Sequence, residues 1–317
     1  MVRLRGMVVN REPATASRNR GMIPCPCHCL HHPLYFGGSP LDLPFGFTVP
    51  MRRSLNKKRI LITGASSGIG AVMAHLLAKE GADLVLLARR KERLQALADQ
   101  INADPIKQQH GNRKIILIDG DVTDPDVRHR AIQAAVEQLG GLDILVNNAG
   151  VGAMARIENT TQETLRRVFE VNFFALFELT QSALPHLKQG IEPMVVNLSS
   201  IVGLRGVPHY GVYGSAKFAV TGLSETMRAE FSKYGIDVLL VCPGTTQTEF
   251  FDVLHQSTSA PDLPKHRPVT SEYVAVRIVQ AMKRGKHKII PYFPAVLLDK
   301  LNRFCPRFVD WIMTRYA

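Results

Sequence analysis

The sequence predicts an α/β fold: a single domain built on a doubly wound parallel sheet with helices on both faces. Three observations carry that expectation. Short apolar runs recur from Arg59 onward, amphipathic stretches of helical length separate them, and a glycine-rich turn joins the first run to the first such stretch. Strands alternating with helices imply parallel pairing, because each crossover returns the chain to the same edge of the sheet. The strands of such a sheet are apolar throughout, since both of their faces are covered.

The elements follow in order. Ile60–Thr63, Leu84–Ala88, Ile115–Ile118, Ile144–Asn147, Val195–Leu198 and Val238–Cys242 read as buried strands. Ile69–Glu80, Lys91–Ala103 and Pro125–Leu139 have the length and apolar spacing of helices, and Gly211–Lys233 can continue as another. After Gly244 the alternation gives way to Phe250–Leu254 and a Pro-rich stretch to Pro268. A last helix–strand pair follows at Ser271–Arg284 and Lys288–Pro291.

The flanks differ from this block. Residues 1–50 carry Pro24, Pro26, Pro33, Pro40, Pro44 and Pro50 and show no sustained period, which predicts a disordered extension. Met51 then opens the ordinary-looking domain, 51–292, and is a candidate alternative start. Residues 293–317 form a basic, aromatic tail. Of the net charge of +12, residues 51–59 contribute +5 and residues 263–317 contribute +8, whereas residues 60–262 sum to −4. The basic charge therefore lies outside the catalytic-looking block, which argues against a nucleic-acid partner. No run of about 18 apolar residues and no signal-peptide pattern is present, so a cytoplasmic protein is expected. Cys25, Cys27 and Cys29 have single-residue gaps rather than zinc spacing, and no metal site is expected.

Thr63-Gly64-Ala65-Ser66-Ser67-Gly68-Ile69-Gly70 lies between the first strand and the first helix. Its glycines let the backbone turn tightly, and the helix N-terminus offers unpaired N–H groups to a pyrophosphate. The spacing Gly-x-x-x-Gly-x-Gly with Thr in front resembles the short-chain dehydrogenase/reductase family, and five further motifs match in order. These are Asn147-Asn148-Ala149-Gly150, Asn172 between Val171 and Phe173, Ser200 thirteen residues before Tyr213, the Tyr213-x-x-x-Lys217 pair, and Pro243-Gly244 with Thr248 beyond. The resemblance covers about residues 57–292 and implies a Rossmann-like dinucleotide fold, with the look of the hydroxysteroid-dehydrogenase-like branch.

The second strand ends Ala88-Arg89-Arg90 with no carboxylate for a ribose 2′-hydroxyl. Arg89, with Ser67, suits a 2′-phosphate instead, so NADP(H) is the expected cofactor. The resemblance implies further cofactor contacts from Gly64, Ser66, Gly68, Ile69, Gly70, Asp121, Val122, Asn148, Ala149, Gly150, Pro243, Gly244, Thr245 and Thr248, besides Tyr213 and Lys217. Thr245 and Thr246 are more polar than the aliphatic residues frequent there.

Tyr213 and Lys217 stand one helical turn apart on one face. A free phenol has a pKa of about 10, and a nearby ammonium favours the phenolate and lowers that value. Tyr213 is thus expected to exchange the proton and Ser200 to orient the substrate oxygen, and the resemblance implies that Lys217 also bonds the nicotinamide ribose. Asn172 is implied to hold a water that links Lys217 to solvent. Tyr210 lacks a paired lysine, since Gly214 stands four residues on.

Leu204, Val207, Pro208, His209, Tyr210, Val151, Gly152 and Phe250–Leu254 should border the substrate. That mostly apolar lining suits a steroid-like, lipid or aromatic carbonyl. A 3-oxoacyl or 3-ketolipid reductase is the chief alternative, and a non-catalytic NADP(H) sensor is the reading from another class. The resemblance further implies a homodimer or homotetramer. Pro306 splits the tail into two pieces, which lie on a membrane interface, cap the cleft or pack on a partner subunit.

Overall fold

The computed structural model describes residues 53–104, 113–247, 255–256 and 268–316. The expected extension 1–50, Met51, the Cys25–Cys29 cluster, Thr248 and Phe250–Leu254 lie outside the described residues. Seven strands form one parallel sheet: β1 (Arg59–Thr63), β2 (Asp83–Ala88), β3 (Ile115–Asp119), β4 (Ile144–Asn147), then β6 (Met194–Leu198), β7 (Asp237–Val241) and β11 (Lys288–Ile289). Their order across the sheet is β11-β7-β6-β4-β1-β2-β3, so the winding reverses between β1 and β4. The short strand β5 (Ala153–Met154) pairs with β9 (His255–Gln256), and β8 (Thr246–Gln247) pairs with β10 (Val269–Thr270).

Alternation along each strand feeds two cores. Ile60, Ile62, Leu84, Leu86, Ile144 and Val146 face one layer, which contains Met73 and Leu77 of α1 (Gly68–Lys79), Leu94 and Leu97 of α2 (Lys91–Ala103) and Ile278 of α7 (Ser271–Lys283). Leu61, Val85, Leu87 and Leu145 face the other layer. There they meet Ala131 of α3 (Pro125–Leu139), Leu179 of α5 (Ala175–Leu187) and Met227 of α6 (Gly211–Phe231). Each fully buried aliphatic side chain of this kind contributes about 1.5–3 kcal/mol.

Helix ends follow their sequence signals. Asp124 caps α3 by accepting from the Asp126 N–H, and Gly140, in the left-handed region at φ 81°, ends it. Thr161 caps α4 (Gln162–Phe169) by accepting from the Thr164 N–H. The expected final strand is shorter than its apolar run, Lys288–Ile289. The tail folds as α8 (Phe293–Phe304) and α9 (Pro306–Met313), with Pro306 starting the second helix, where its missing N–H costs nothing.

Candidate active site

Parallel strands place all their C-terminal ends on one edge, and a ligand crevice opens where the winding reverses. Here that is the gap between β1 and β4. Three segments meet at this edge: the turn after β1, the segment Asn148–Gly150 after β4, and Ser199–Gly203 after β6.

The first two segments are tied to each other. Thr63 Oγ1 accepts from the Asn148 and Ala149 N–H groups, each at 3.0 Å. Asn148 Nδ2 donates back to the carbonyls of Thr63 at 2.9 Å and Gly64 at 3.0 Å. Gly64 sits at φ 66°, and a Cβ there would stand 2.8 Å from Ala149 Cα. A Cβ on Gly70 would collide with the Gly64 carbonyl. The turn is therefore closed against the β4 loop by glycines that nothing larger can replace.

At the end of β2 the two arginines part. Arg89 is exposed, whereas Arg90 is half-buried and lies over the glycine turn. Its Nη2 donates to Ser67 Oγ at 2.6 Å and to Ser66 Oγ at 3.2 Å. The sequence pointed to Arg89 with Ser67; the geometry adds Arg90, whose side chain already holds both serines. Asp121 is likewise occupied. Its carboxylate accepts from Arg167 at 2.7 Å and from the Thr123 N–H and hydroxyl. Burial alone would raise its pKa, but those hydrogen bonds and the Arg167 charge hold it below the ordinary carboxylate range. Val122 is buried beside it.

Asn172 is buried on a π-helical turn, Glu170–Phe174, between α4 and α5. Its Nδ2 donates to the Val151 carbonyl at 2.8 Å, and its Oδ1 accepts from the Val151 N–H at 2.9 Å. A Cβ on Gly150 would lie 2.9 Å from that Oδ1 and 3.6 Å from Lys217 Nζ, so Asn172, Gly150 and Lys217 converge. A π turn re-aims one side chain within a helix and is common at functional sites.

Ser200, Tyr213 and Lys217 come together as the spacing requires. Ser200 starts a 3₁₀ turn, Ile201–Gly203, and is hydrogen-bonded to the Tyr213 hydroxyl. Lys217 is buried, and its Nζ donates to the Leu198 carbonyl at 2.8 Å while lying 5.7 Å from the centre of the Tyr213 ring. Burial lowers the Lys217 pKa from 10.5 to about 8. The expected depression of the Tyr213 pKa is not found. Burial pushes the phenol well above its usual value, the bond to Ser200 opposes this, and Tyr210 adds to it. The physical reason is that desolvation of the phenolate outweighs the Ser200 hydrogen bond, while the Lys217 ammonium is committed to the Leu198 carbonyl.

Ser199 supports the pair, with its hydroxyl donating to the Lys217 carbonyl at 2.9 Å. Pro243 and Gly244 lie at the end of β7, where the Pro243 carbonyl accepts from the Ile201 N–H at 2.9 Å. A Cβ on Gly244 would stand 2.6 Å from the Tyr292 ring, so this glycine makes room for an aromatic cover. Thr245 is exposed and Thr246 is buried. Ser199, Arg90 and Tyr292 were not singled out in the sequence. Only Arg90 carried a local signal there, the paired arginines after β2. Of the residues expected to border the substrate, Leu204, Val207, Pro208 and Tyr210 are half-buried. His209 is buried at a φ of 67°, a conformation unusual for a side-chain-bearing residue.

A family model described as short chain dehydrogenase matches residues 58–258. The 11-beta-hydroxysteroid dehydrogenase-like 2 of Arabidopsis thaliana is 32% identical over 260 residues, covering 81% of this chain and 80% of that protein. A 3-ketodihydrosphingosine reductase of Bacteroides thetaiotaomicron is 33% identical over 193 residues, 61% of this chain and 65% of that protein. Among solved structures, a short-chain dehydrogenase from Sphingobium yanoikuyae in complex with NADPH superposes with a TM-score of 0.64 at 29% identity, covering 79% of this chain and 94% of that one.

Proposed function

The chain belongs to the short-chain dehydrogenase family and is an oxidoreductase, and from that premise we propose that it uses NADP(H) to interconvert a carbonyl and an alcohol on an apolar small molecule. The observation that carries this reading is the Ser200–Tyr213–Lys217 cluster, set beside the glycine turn at the reversal between β1 and β4.

The residues present fit the cofactor. The closed glycine turn and the α1 N-terminus suit a pyrophosphate. Arg89 and Arg90, with Ser66 and Ser67 and no acid at the end of β2, suit a 2′-phosphate. Asn148, Ala149, Gly150, Pro243, Gly244 and Thr245 edge the crevice further along. When bound, the nicotinamide supplies or accepts the hydride. Ser200 then hydrogen-bonds the substrate oxygen, and Tyr213 hands that oxygen its proton in reduction or takes it in oxidation. Burial keeps the Tyr213 phenol protonated at neutral pH, as an ordinary phenol also is. Lys217 acts on the phenol and the ribose, and Asn172 fixes the Val151 backbone next to it. Val122 and Asp121 border the adenine end, with the Asp121 carboxylate itself spent on Arg167.

The half-buried Leu204, Val207 and Tyr210 support an apolar substrate, steroid-like, lipid or aromatic. The likeness to a 3-ketodihydrosphingosine reductase favours a 3-ketolipid as the second reading. The family acts on small molecules, and a homodimer or homotetramer is the proposed assembly. The test is NADPH oxidation against a panel of steroid, aromatic and long-chain 3-keto carbonyls. Turnover with at least one supports the reading, whereas tight NADPH binding with no turnover across the panel leaves a binding protein.

A further inference from the structure

The tail has two opposite faces. In α8, Phe293, Leu297, Lys300 and Phe304 recur at the spacing of a single helical face. The other face is committed to the domain. Ala295 is buried, Asp299 pairs with Lys288 at 3.6 Å, and Asn302 accepts from Arg205 Nη1 at 3.0 Å. In α9, Val309 is fully buried and Asp310 pairs with Arg205, while Phe308 and Trp311 point away and stack at 5.8 Å. The outward residues are far more exposed than large apolar side chains ordinarily are: Phe293 79%, Leu297 60%, Phe304 83%, Phe308 50% and Trp311 51%.

The charges separate in the same way. The acids of the segment, Asp299 and Asp310, both pair back to the domain, and Asp299 also reaches Arg303 on its own helix at 3.8 Å. The charges beside the aromatics are Lys300, Arg303, Arg307 and Arg315, and the Arg315 guanidinium lies 3.8 Å over the Trp311 ring. Exposed aromatic side chains ringed by basic ones match a bilayer interface with anionic headgroups. A two-fold contact with a second copy would instead set these like charges against their own equivalents. Among the described residues no helix is long and apolar enough to cross a membrane, so contact through these helices would be peripheral.

We infer that the outward face of α8 and α9 docks on an anionic lipid surface. Arg205 lies in the loop between Ser200 and Tyr213 and bonds both helices, so this face is fastened to the substrate side of the site. The inference concerns a surface outside the reacting centre and stands independently of the reaction proposed above.

Trp311 is the sole tryptophan of the chain, so its emission reports on this face directly. The full chain is mixed with phosphatidylcholine vesicles and with vesicles containing phosphatidylglycerol, and flotation and emission are recorded. Expected are flotation with the anionic vesicles only, a blue shift of Trp311 emission, and weakening by salt. Phe304→Glu with Phe308→Glu should abolish both signals while NADPH binding is unchanged. Lys300→Gln with Arg307→Gln should weaken binding on the order of 25-fold, at about fivefold for each positive charge lost near such a surface. Absence of flotation on anionic vesicles overturns the inference. So does flotation that leaves Trp311 emission unmoved or survives Phe304→Glu with Phe308→Glu, because binding then runs through another surface. A dimer in solution that Phe304→Glu with Phe308→Glu dissociates overturns it in favour of a second copy.

Discussion

Arg89 and Arg90 are adjacent in sequence but placed differently, and replacing each by alanine should separate their roles. Arg89 is exposed, so its attraction for a 2′-phosphate is partly screened. A charge-assisted hydrogen bond contributes about 1.5–3 kcal/mol, and exposure puts Arg89 at the low end, which corresponds to about a tenfold rise in the NADPH dissociation constant. NADH has no 2′-phosphate, so Arg89→Ala should change its affinity by no more than about twofold. Arg90 is half-buried and donates to Ser66 and Ser67. Its removal takes the phosphate partner and also loosens the turn. Arg90→Ala should weaken NADH by about fivefold, from a lost bond of about 1 kcal/mol within the loop, and NADPH by about 50- to 750-fold, because the lost phosphate contact multiplies that factor. Isothermal titration of both cofactors at one salt concentration gives the comparison. If both variants weaken NADH as much as NADPH, or neither weakens NADPH, the 2′-phosphate assignment is refuted.

Three further outcomes follow from the same geometry. Lys217 has its pKa lowered to about 8, so the unfolded chain binds more protons between pH 8 and 10.5 and wild-type stability rises with pH across that window. Lys217→Met should therefore abolish turnover yet melt higher at pH 7, by on the order of 3 kcal/mol less whatever the unpaired Leu198 carbonyl costs, and this gain should vanish by pH 10.5. Asp143 is buried and accepts from the Arg59 guanidinium at 2.6 Å and from the Ile191 N–H at 2.7 Å. Although burial raises its pKa, those bonds hold it below the unfolded value of 3.8, so its contribution is present above that pH and lost as pH falls through the folded pKa. Asp143→Ala should cost about 3–5 kcal/mol in melting experiments at pH 7, with the gap from wild type closing in acid. Arg53 already binds Asp237 at 2.6 Å and the Met282 carbonyl at 3.2 Å, so a chain starting at Met51 should keep the melting temperature and NADPH affinity of the full chain.

The fold was legible because each crossover repeats one signal. β1 shows why: Ile60 and Ile62 enter one core and Leu61 the other, so an unbroken apolar run is what a strand buried on both faces must be. The cluster of Ser200, Tyr213 and Lys217 was legible because one helical turn fixes the pair, and β6 delivers Ser200 beside it. What escaped depends on distances that sequence spacing does not encode. Whether Arg89 or Arg90 turns over the glycine loop is settled by the cap of α2, where Arg90 is the residue preceding the helix. The direction of the Tyr213 pKa is settled by desolvation against the Ser200 hydrogen bond, and no motif states that balance. Tyr292 reaches Gly244 from an element far along the chain, so neither residue signals the other.

The central claim is that Tyr213 carries the proton. It is tested most directly by comparing Tyr213→Phe with Tyr210→Phe on a carbonyl that the wild type reduces. Both rings keep their packing, and only a hydroxyl is lost. Tyr213→Phe should bind NADPH as the wild type does and turn over about 10²–10⁴-fold more slowly, the usual effect of losing a general acid. Tyr210→Phe should retain most of its turnover. Near-normal turnover in Tyr213→Phe, with loss in Tyr210→Phe, would contradict the account.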